Sequence, residues 1–225
     1  LNAYEKRDYI IDADFKLHDD VTNISKPYAF EFNKKIYVVD TYDNEVYDEK
    51  LNFVGNFKDM NASFKEGANV FVGSQNGKYG ILNVEGKVVV PFAFDTIDEV
   101  YSNGTAFGHK DDKAQSITYS ATSGEAYKAS ALDKELPVRK TLDLELYDLY
   151  YRIDENNKAT LFDSCSGETI KEIANVSSIS GVAYSLDYKA LKVNALVQVV
   201  NNDPVGAEYY MVSMSVNESK IYSLI

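Results

Sequence analysis

Carboxylates are the chemistry this sequence has in abundance. Asp and Glu number 35 against 23 Lys and Arg, for a formal charge of −12, with two histidines and one cysteine. Paired acids could act as general acid and base or hold a hard cation, and the pairs here are Asp12 with Asp14, Asp19-Asp20 and Asp111-Asp112. A calcium loop needs oxygen ligands at regular offsets and a closing bidentate Glu, and no such run exists. These pairs read as solvated loops, and no metal site is expected. His18 and His109 fall in no ligand spacing and read as surface or satisfied residues. A nucleophilic serine would need a histidine and an orienting acid, and Ser166-Gly167 lacks the Gly-x-Ser-x-Gly elbow. Cys165 lies between Asp163 and Glu168, whose charge disfavours a thiolate, so it reads as inert. Gly-x-Gly-x-x-Gly and Walker loops are absent, so no cofactor is expected. The inventory is that of a non-enzyme.

Tyrosine is the other unusual resource, at 18 residues in a chain without tryptophan. In a strand, neighbouring side chains face opposite ways, so Tyr150-Tyr151 and Tyr209-Tyr210 each put one ring on each face. An exposed ring of this kind stacks on a sugar or anchors a protein interface, which makes these four the candidate binding residues. The competing reading places them in partly buried positions, as substitutes for Phe and Trp.

Elements that would carry these residues recur along the chain. A polar residue opens a short apolar run, Asp or Asn closes it, and a turn leads to Lys or Glu and a second run. Copies are Asp8–Asp12 with Phe15–Leu17, Lys35–Asp40 with Asn44–Tyr47, and Lys78–Asn83 with Gly86–Val90. Weaker ones are Ser116–Tyr119 with Gly124–Tyr127, Ala159–Asp163 with Gly167–Ile170, and Tyr209–Met214 with Ser219–Tyr222. The turns at 15, 44, 86, 124, 167 and 219 stand on average about 41 residues apart, inside the blade-repeat window. Each copy reads as a β-hairpin, because β-branched and aromatic residues fill the runs and Asn or Gly fills the turns. Ile36–Val39, Ile81-Leu82 and Val88–Val90 are apolar at successive positions and call for burial on both faces. A propeller blade meets that demand, so the expected fold is an all-β repeat of hairpin units, propeller-like with about six blades. The alternative is a β-solenoid. Residues 129–137 are expected to hold a helical turn or two ended by Pro137, and 141–149 alternate as a half-exposed strand. Loops are marked at 74–77, 102–104, 154–157 and 201–206.

The stretch Gly67–Val72, Asn76-Gly77-Lys78-Tyr79-Gly80-Ile81-Leu82-Asn83, Gly86-Lys87-Val88-Val89-Val90-Pro91-Phe92 and Phe94-Asp95 resembles a WG-type repeat. Tyr79 stands where that family has Trp, and one good copy spans 67–107. The resemblance implies a β-rich, propeller-like unit of the kind common in bacterial secreted and surface proteins, tied to no particular reaction. It implies structural roles for Gly77, Lys78, Tyr79, Gly80, Gly86, Lys87, Pro91, Phe94 and Asp95. Tyr79 would bury its ring, Gly80 would let the strand pass beneath an adjacent blade, Gly86 would turn the chain and Pro91 would end the strand.

At 225 residues the length suits one domain or a tight pair, and the repeat reading takes 1–225 as a single β-repeat domain. The acidic balance argues against nucleic acid, which needs clustered cations. No apolar stretch nears 18 residues, so membrane insertion by a helix is not expected. Five Asn-x-Ser/Thr triplets matter only in a eukaryotic secreted chain. Leu1 in place of Met is what a processed or trimmed chain shows. The expected function is a non-catalytic binding or scaffolding module, extracellular or at a bacterial cell surface, that meets a protein or glycan partner. The alternatives are a propeller hydrolase with paired carboxylates and a structural spacer.

Overall fold

A computed structural model describes residues 10–11, 17–18, 24–122, 126–144, 148–187, 189–190, 192–202 and 204–215. Among them the chain is all-β, with a single 3-10 turn at Lys58–Met60 as its helical element. A short pair comes first, β1 (Ile10–Ile11) with β2 (Leu17–His18). Four antiparallel sheets of four strands follow, each made of consecutive strands. They are β3 (Pro27–Phe32) to β6 (Phe53–Asn56) through β4 (Lys35–Asp40) and β5 (Glu45–Asp48), and β7 (Ser63–Lys65) to β10 (Val88–Phe94) through β8 (Val70–Gln75) and β9 (Lys78–Leu82). Next come β11 (Thr96–Val100), β12 (Thr105–Lys110), β13 (Lys113–Thr118) and β14 (Lys128–Ala131), then β15 (Lys140–Asp143), β16 (Asp148–Ile153), β17 (Ala159–Asp163) and β18 (Thr169–Ile173). The last sheet has three long strands, β19 (Val176–Asp187), β20 (Lys192–Asn202) and β21 (Val205–Ser215).

Turn chemistry explains why the strands alternate so regularly. Asn33-Lys34, Asn76-Gly77 and Asp111-Asp112 all have positive φ, from 51° to 75°, and join β3–β4, β8–β9 and β12–β13. Two left-handed residues in a two-residue loop make a type I′ turn, whose twist matches that of the flanking strands. The pair Asp111-Asp112 is therefore a turn. Three strands, β4, β9 and β17, lead into a buried polar side chain that takes the amides of the next turn. Asp40 accepts from the backbone N–H groups of Ser25, Tyr42 and Asp43, at 2.7, 2.9 and 3.4 Å. Asn83 Oδ1 accepts from Glu85 and Lys87, at 3.0 and 2.9 Å, and Asp163 Oδ1 from Cys165 and Ser166, at 2.9 and 2.6 Å. Asn44, Gly86 and Gly167 then supply the left-handed residue that lets the chain return.

The recurring unit is thus three strands: β3–β5, β8–β10, β12–β14 and β16–β18. A fourth strand completes each sheet. It follows the unit in the first case (β6) and precedes it in the other three (β7, β11, β15). The expected turns at 44, 86 and 167 are where the repeat puts them, while those at 15, 124 and 219, with the run 219–222, lie outside the described residues.

Contacts divide the described chain into two compact units. One runs to Phe94 and takes in Ser120–Ala121 and their neighbours; the other is Asp95–Tyr119 with the chain from Tyr127 on. The first has an aromatic core of Phe30, Phe32, Tyr37, Phe64 and Phe71 around Val39, Val46 and Leu82. Phe30 stacks on Phe64 at 5.6 Å, and Asn83 Nδ2 donates to the Ala121 carbonyl at 3.2 Å. The second is aliphatic, with Leu142, Leu149, Leu161, Ile173 and Ile179 packed on Val193, Ala195, Val197 and Val199 of β20.

Several expectations are corrected. Residues 129–137 hold no helical turn: β14 covers 128–131, and Leu136 and Val138 stand exposed in extended chain. No apolar stripe at helical spacing exists there to bury. The alternation at 141–149 belongs to two strands, β15 and β16, and the segment 201–206 is largely strand. Of the three runs expected to be buried on both faces, Ile81-Leu82 of the interior strand β9 is, but Ile36 and Val88 are each 44% exposed. Tyr79 is exposed at 38%, so its ring is no core anchor. Gly80 is required by its own sheet, because a Cβ there would stand 2.6 Å from the Val90 carbonyl oxygen of β10. Pro91 does not end its strand: β10 is a sheet edge, where a missing N–H costs no ladder bond, and it continues with bulges to Phe94.

Two substitutions separate turn capping from motif burial. Asp40→Ala strips three backbone amides of their acceptor and is expected to lower unfolding free energy by about 2–4 kcal/mol in urea titrations. Tyr79→Ala is expected to cost less than about 1 kcal/mol. The reverse order would mean that the Tyr79 ring is in the core and that the Asp40 cap is dispensable.

Candidate functional site

Three of the four candidate tyrosines are structural. Tyr151 is buried in the aliphatic core, and Tyr150 is half-buried with the Arg139 guanidinium 4.2 Å over its ring. Tyr210 packs against that core, donates its hydroxyl hydrogen to Glu208 and lies under Lys171, whose Nζ is 5.1 Å from the ring centre. Only Tyr209 stands open, at 59% exposure. It pairs across β20 with Gln198, whose Nε2 donates to its hydroxyl at 3.1 Å, and its neighbour on that face is Met211, 64% exposed. Around Tyr209 this face of the last sheet presents the uncharged side chains of Gln198 and Met211.

A second site, which the sequence reading did not single out, lies within the second unit. A bulge in β11 puts Asp98 as an extra residue between the pairs Ile97↔Gly108 and Glu99↔Phe107. Two successive acids thereby line one cleft, which an unbroken strand would not allow. Gly108 makes the close approach possible: a Cβ there would stand 2.1 Å from the Thr96 carbonyl oxygen. Phe107, Gly108, Ala114, Leu136, Pro137 and Val138 give the cleft its apolar lining, and Asp98, Glu99, His109, Glu135 and Arg139 its charge. Its volume is about 320 Å³.

His109 ties the cleft wall to the segment that faces it. Its Nδ1 is 3.2 Å from Asp98 Oδ2 and its Nε2 is 3.0 Å from Glu135 Oε2. A neutral imidazole would aim a lone pair at one of these carboxylates, so the doubly protonated ring fits best. The Glu135 hydrogen bond, then Asp98, outweigh slight desolvation and hold the imidazolium pKa above its usual value. Thr96 Oγ1 donates to Asp98 at 2.9 Å.

Behind this lies an ionic and aromatic cluster. The Glu99 carboxylate takes the Arg152 guanidinium, the Tyr101 hydroxyl at 2.6 Å and Arg139 at 4.0 Å. Arg152 also donates Nε–H to the Pro137 carbonyl at 3.1 Å and covers the Phe162 ring at 4.7 Å. Burial, then the bond to Glu99, pushes the Tyr101 hydroxyl up to about 12. The cluster thus holds the extended segment around Pro137 against β16. Arg139 and Arg152 are two of only three arginines beside 20 lysines, and that scarcity was the available signal. Arginine is the residue suited to a desolvated pair that also stacks on rings.

No protein-family model and no curated protein matches the sequence. Among solved structures the chain is similar to the WD40 domain of SCAP from fission yeast, at 10% identity and a TM-score of 0.32, over 86% of this chain and 59% of that one. It is also similar to dihydro-heme d1 dehydrogenase NirN in complex with DHE, at 9% identity and a TM-score of 0.30, over 85% and 47%. The chain thus spans about half to three-fifths of those structures.

Glu99 sets the energetics of this region. Its side chain and that of Arg152 are each 14% exposed, so Glu99→Ala leaves guanidinium charge without its partner. The expected loss is about 3 kcal/mol or more in denaturant unfolding, with Glu99→Gln intermediate. A loss below about 0.5 kcal/mol would mean that the cluster is solvated.

Proposed function

We propose that the chain is a non-catalytic binding or scaffolding module of a secreted or surface-attached bacterial protein, engaging a protein or glycan partner. The carrying observation is that the ionisable groups of the cleft are committed to one another. Thr96, His109 and Glu135 have the composition of a nucleophile, base and acid. The Thr96 hydroxyl, however, is shared between Asp98 Oδ2, at 2.9 Å, and His109 Nδ1, at 3.2 Å, and the two carboxylates favour the protonated ring, which is no base. The carboxylates of Asp98 and Glu135 are each hydrogen-bonded to the His109 ring, at Nδ1 and Nε2, rather than facing each other across an open gap as an acid and base pair would. A cleft with apolar lining and a few polar groups is suited to holding a ligand. Tyr209 and Met211 offer a second exposed surface, and an open tyrosine ring is a group on which sugars stack.

Four successive four-stranded meanders support a propeller-like repeat of about six blades, since such sheets are the propeller unit. Kinship with WG-type repeats is proposed on the motif around Tyr79-Gly80, and a cell-surface location follows from that kinship alone.

A pull-down from native cell-surface extract, run beside a glycan array, tests the function. We expect a saturable partner whose binding weakens with salt, and no turnover of glycosides or esters. A glycan hit lost in Tyr209→Ala assigns the sugar to the β21 face. Turnover abolished by a single carboxylate substitution would overturn the non-catalytic reading, and silence in both assays would leave a structural spacer.

A further inference from the structure

The cleft has a chemical selectivity of its own. Its charged groups come from three elements: Asp98 and Glu99 from β11, His109 from β12, and Glu135 and Arg139 from the segment after β14. Ala114 of β13 is uncharged. Arg139 is held by Glu99 and by the Tyr150 ring, at 4.0 and 4.2 Å. Asp98 and Glu135 are different. Both are more than half exposed, and their shared partner, His109, is itself a titratable cation rather than a permanent one, held in its charged form by the same two carboxylates. Beside them lie the apolar side chains of Phe107, Leu136 and Val138. At about 320 Å³ the cleft is at the small end for a ligand site, the size for one side chain.

We propose that this cleft receives a lysine or arginine side chain of a protein partner, the apolar stem on Phe107, Leu136 and Val138 and the cationic head at Asp98 and Glu135, in exchange for the proton on His109. Long cationic side chains combine the two surfaces the cleft offers, an apolar stem and a charged head. No covalent step is involved: the ligand's cation takes the place of the imidazolium charge, and the proton leaves to solvent. The sign follows from linkage. Binding the cation and binding the proton oppose each other, so affinity rises as pH rises through the titration of His109, and bound ligand lowers the pH at which His109 titrates. Lysine and arginine stay charged throughout that window. The inference rests on the binding-module reading and names its partner chemistry.

The test is an NMR pH titration of the histidine rings in the full chain. With two histidines, His109 is assigned by His109→Gln, and His18 serves as the internal control. The probe is Nα-acetyl-lysine methylamide, with the glutamine analogue and matched sodium chloride as controls. We expect the lysine probe to move the His109 signals saturably and lower its titration point, leaving His18 unchanged. Asp98→Asn and Glu135→Gln should each weaken the probe by about fivefold. His109→Gln should keep binding and lose its pH dependence. An unmoved His109, or an equal response to glutamine or salt, overturns the inference. Both acids are exposed, so their variants should unfold in urea with the wild type, which separates lost binding from lost folding. A partner captured equally by the wild type and by the double carboxylate variant leaves the module reading standing and removes this one. Probe binding without any captured partner does the reverse.

Discussion

A buried oxygen at the end of a strand, taking the amides of the turn that follows, is the interaction on which the rest depends. Asp40 and Asn83 are almost wholly buried, and Asp163 is 7% exposed. A carboxylate in such a place is costly unless several donors converge on it, and a tight turn has several amides with no other partner. Each need is met by the other. Asp48 and Asp154 do the same at more exposed corners, taking amides of Lys50 and Asn52 and of Asn156 and Lys158. With the turn fixed, the next strand has only one register, and a one-residue slip would put its whole apolar face into water.

This logic explains how different interiors share one backbone pattern. The first unit fills its core with stacked phenyl rings and the second with valine and leucine, yet both repeat a strand, a left-handed turn, a strand, a capped turn and a strand. Side-chain volume is negotiable here. The position of the capping oxygen is not, because geometry at that atom decides which amides are satisfied.

The repeat was legible because turn residues are read locally. Asn, Asp and Gly at 33, 76–77, 83, 86, 163 and 167 carry their own conformational preference, and β-branched runs lie between them. What depended on tertiary contact was not legible. The sequence around Tyr79 invites a core ring, but Gly80 is needed by the neighbouring strand β10, and Tyr79 on the opposite face is left exposed. The cleft was hidden for a related reason. His109 meets acids 11 residues before it and 26 after it, and a bulge at Asp98, invisible in an alternation pattern, turns one of them inward. Of the tyrosines, packing alone decides which ring stands open: Tyr210 lies against the core of its unit and Tyr209, on the other face of β21, does not.

Native-state hydrogen exchange measures the capping claim at its source. The amides of Tyr42, Glu85, Lys87, Cys165 and Ser166 sit in turns, where exchange is ordinarily fast, yet each is donated to a cap oxygen. If the caps hold the sheets in register, these five exchange within about tenfold of the strand amides beside them. Exchange at the rate of an unprotected peptide, while the adjoining strands stay protected, would contradict the account and make the turns passive links between strands held by other means.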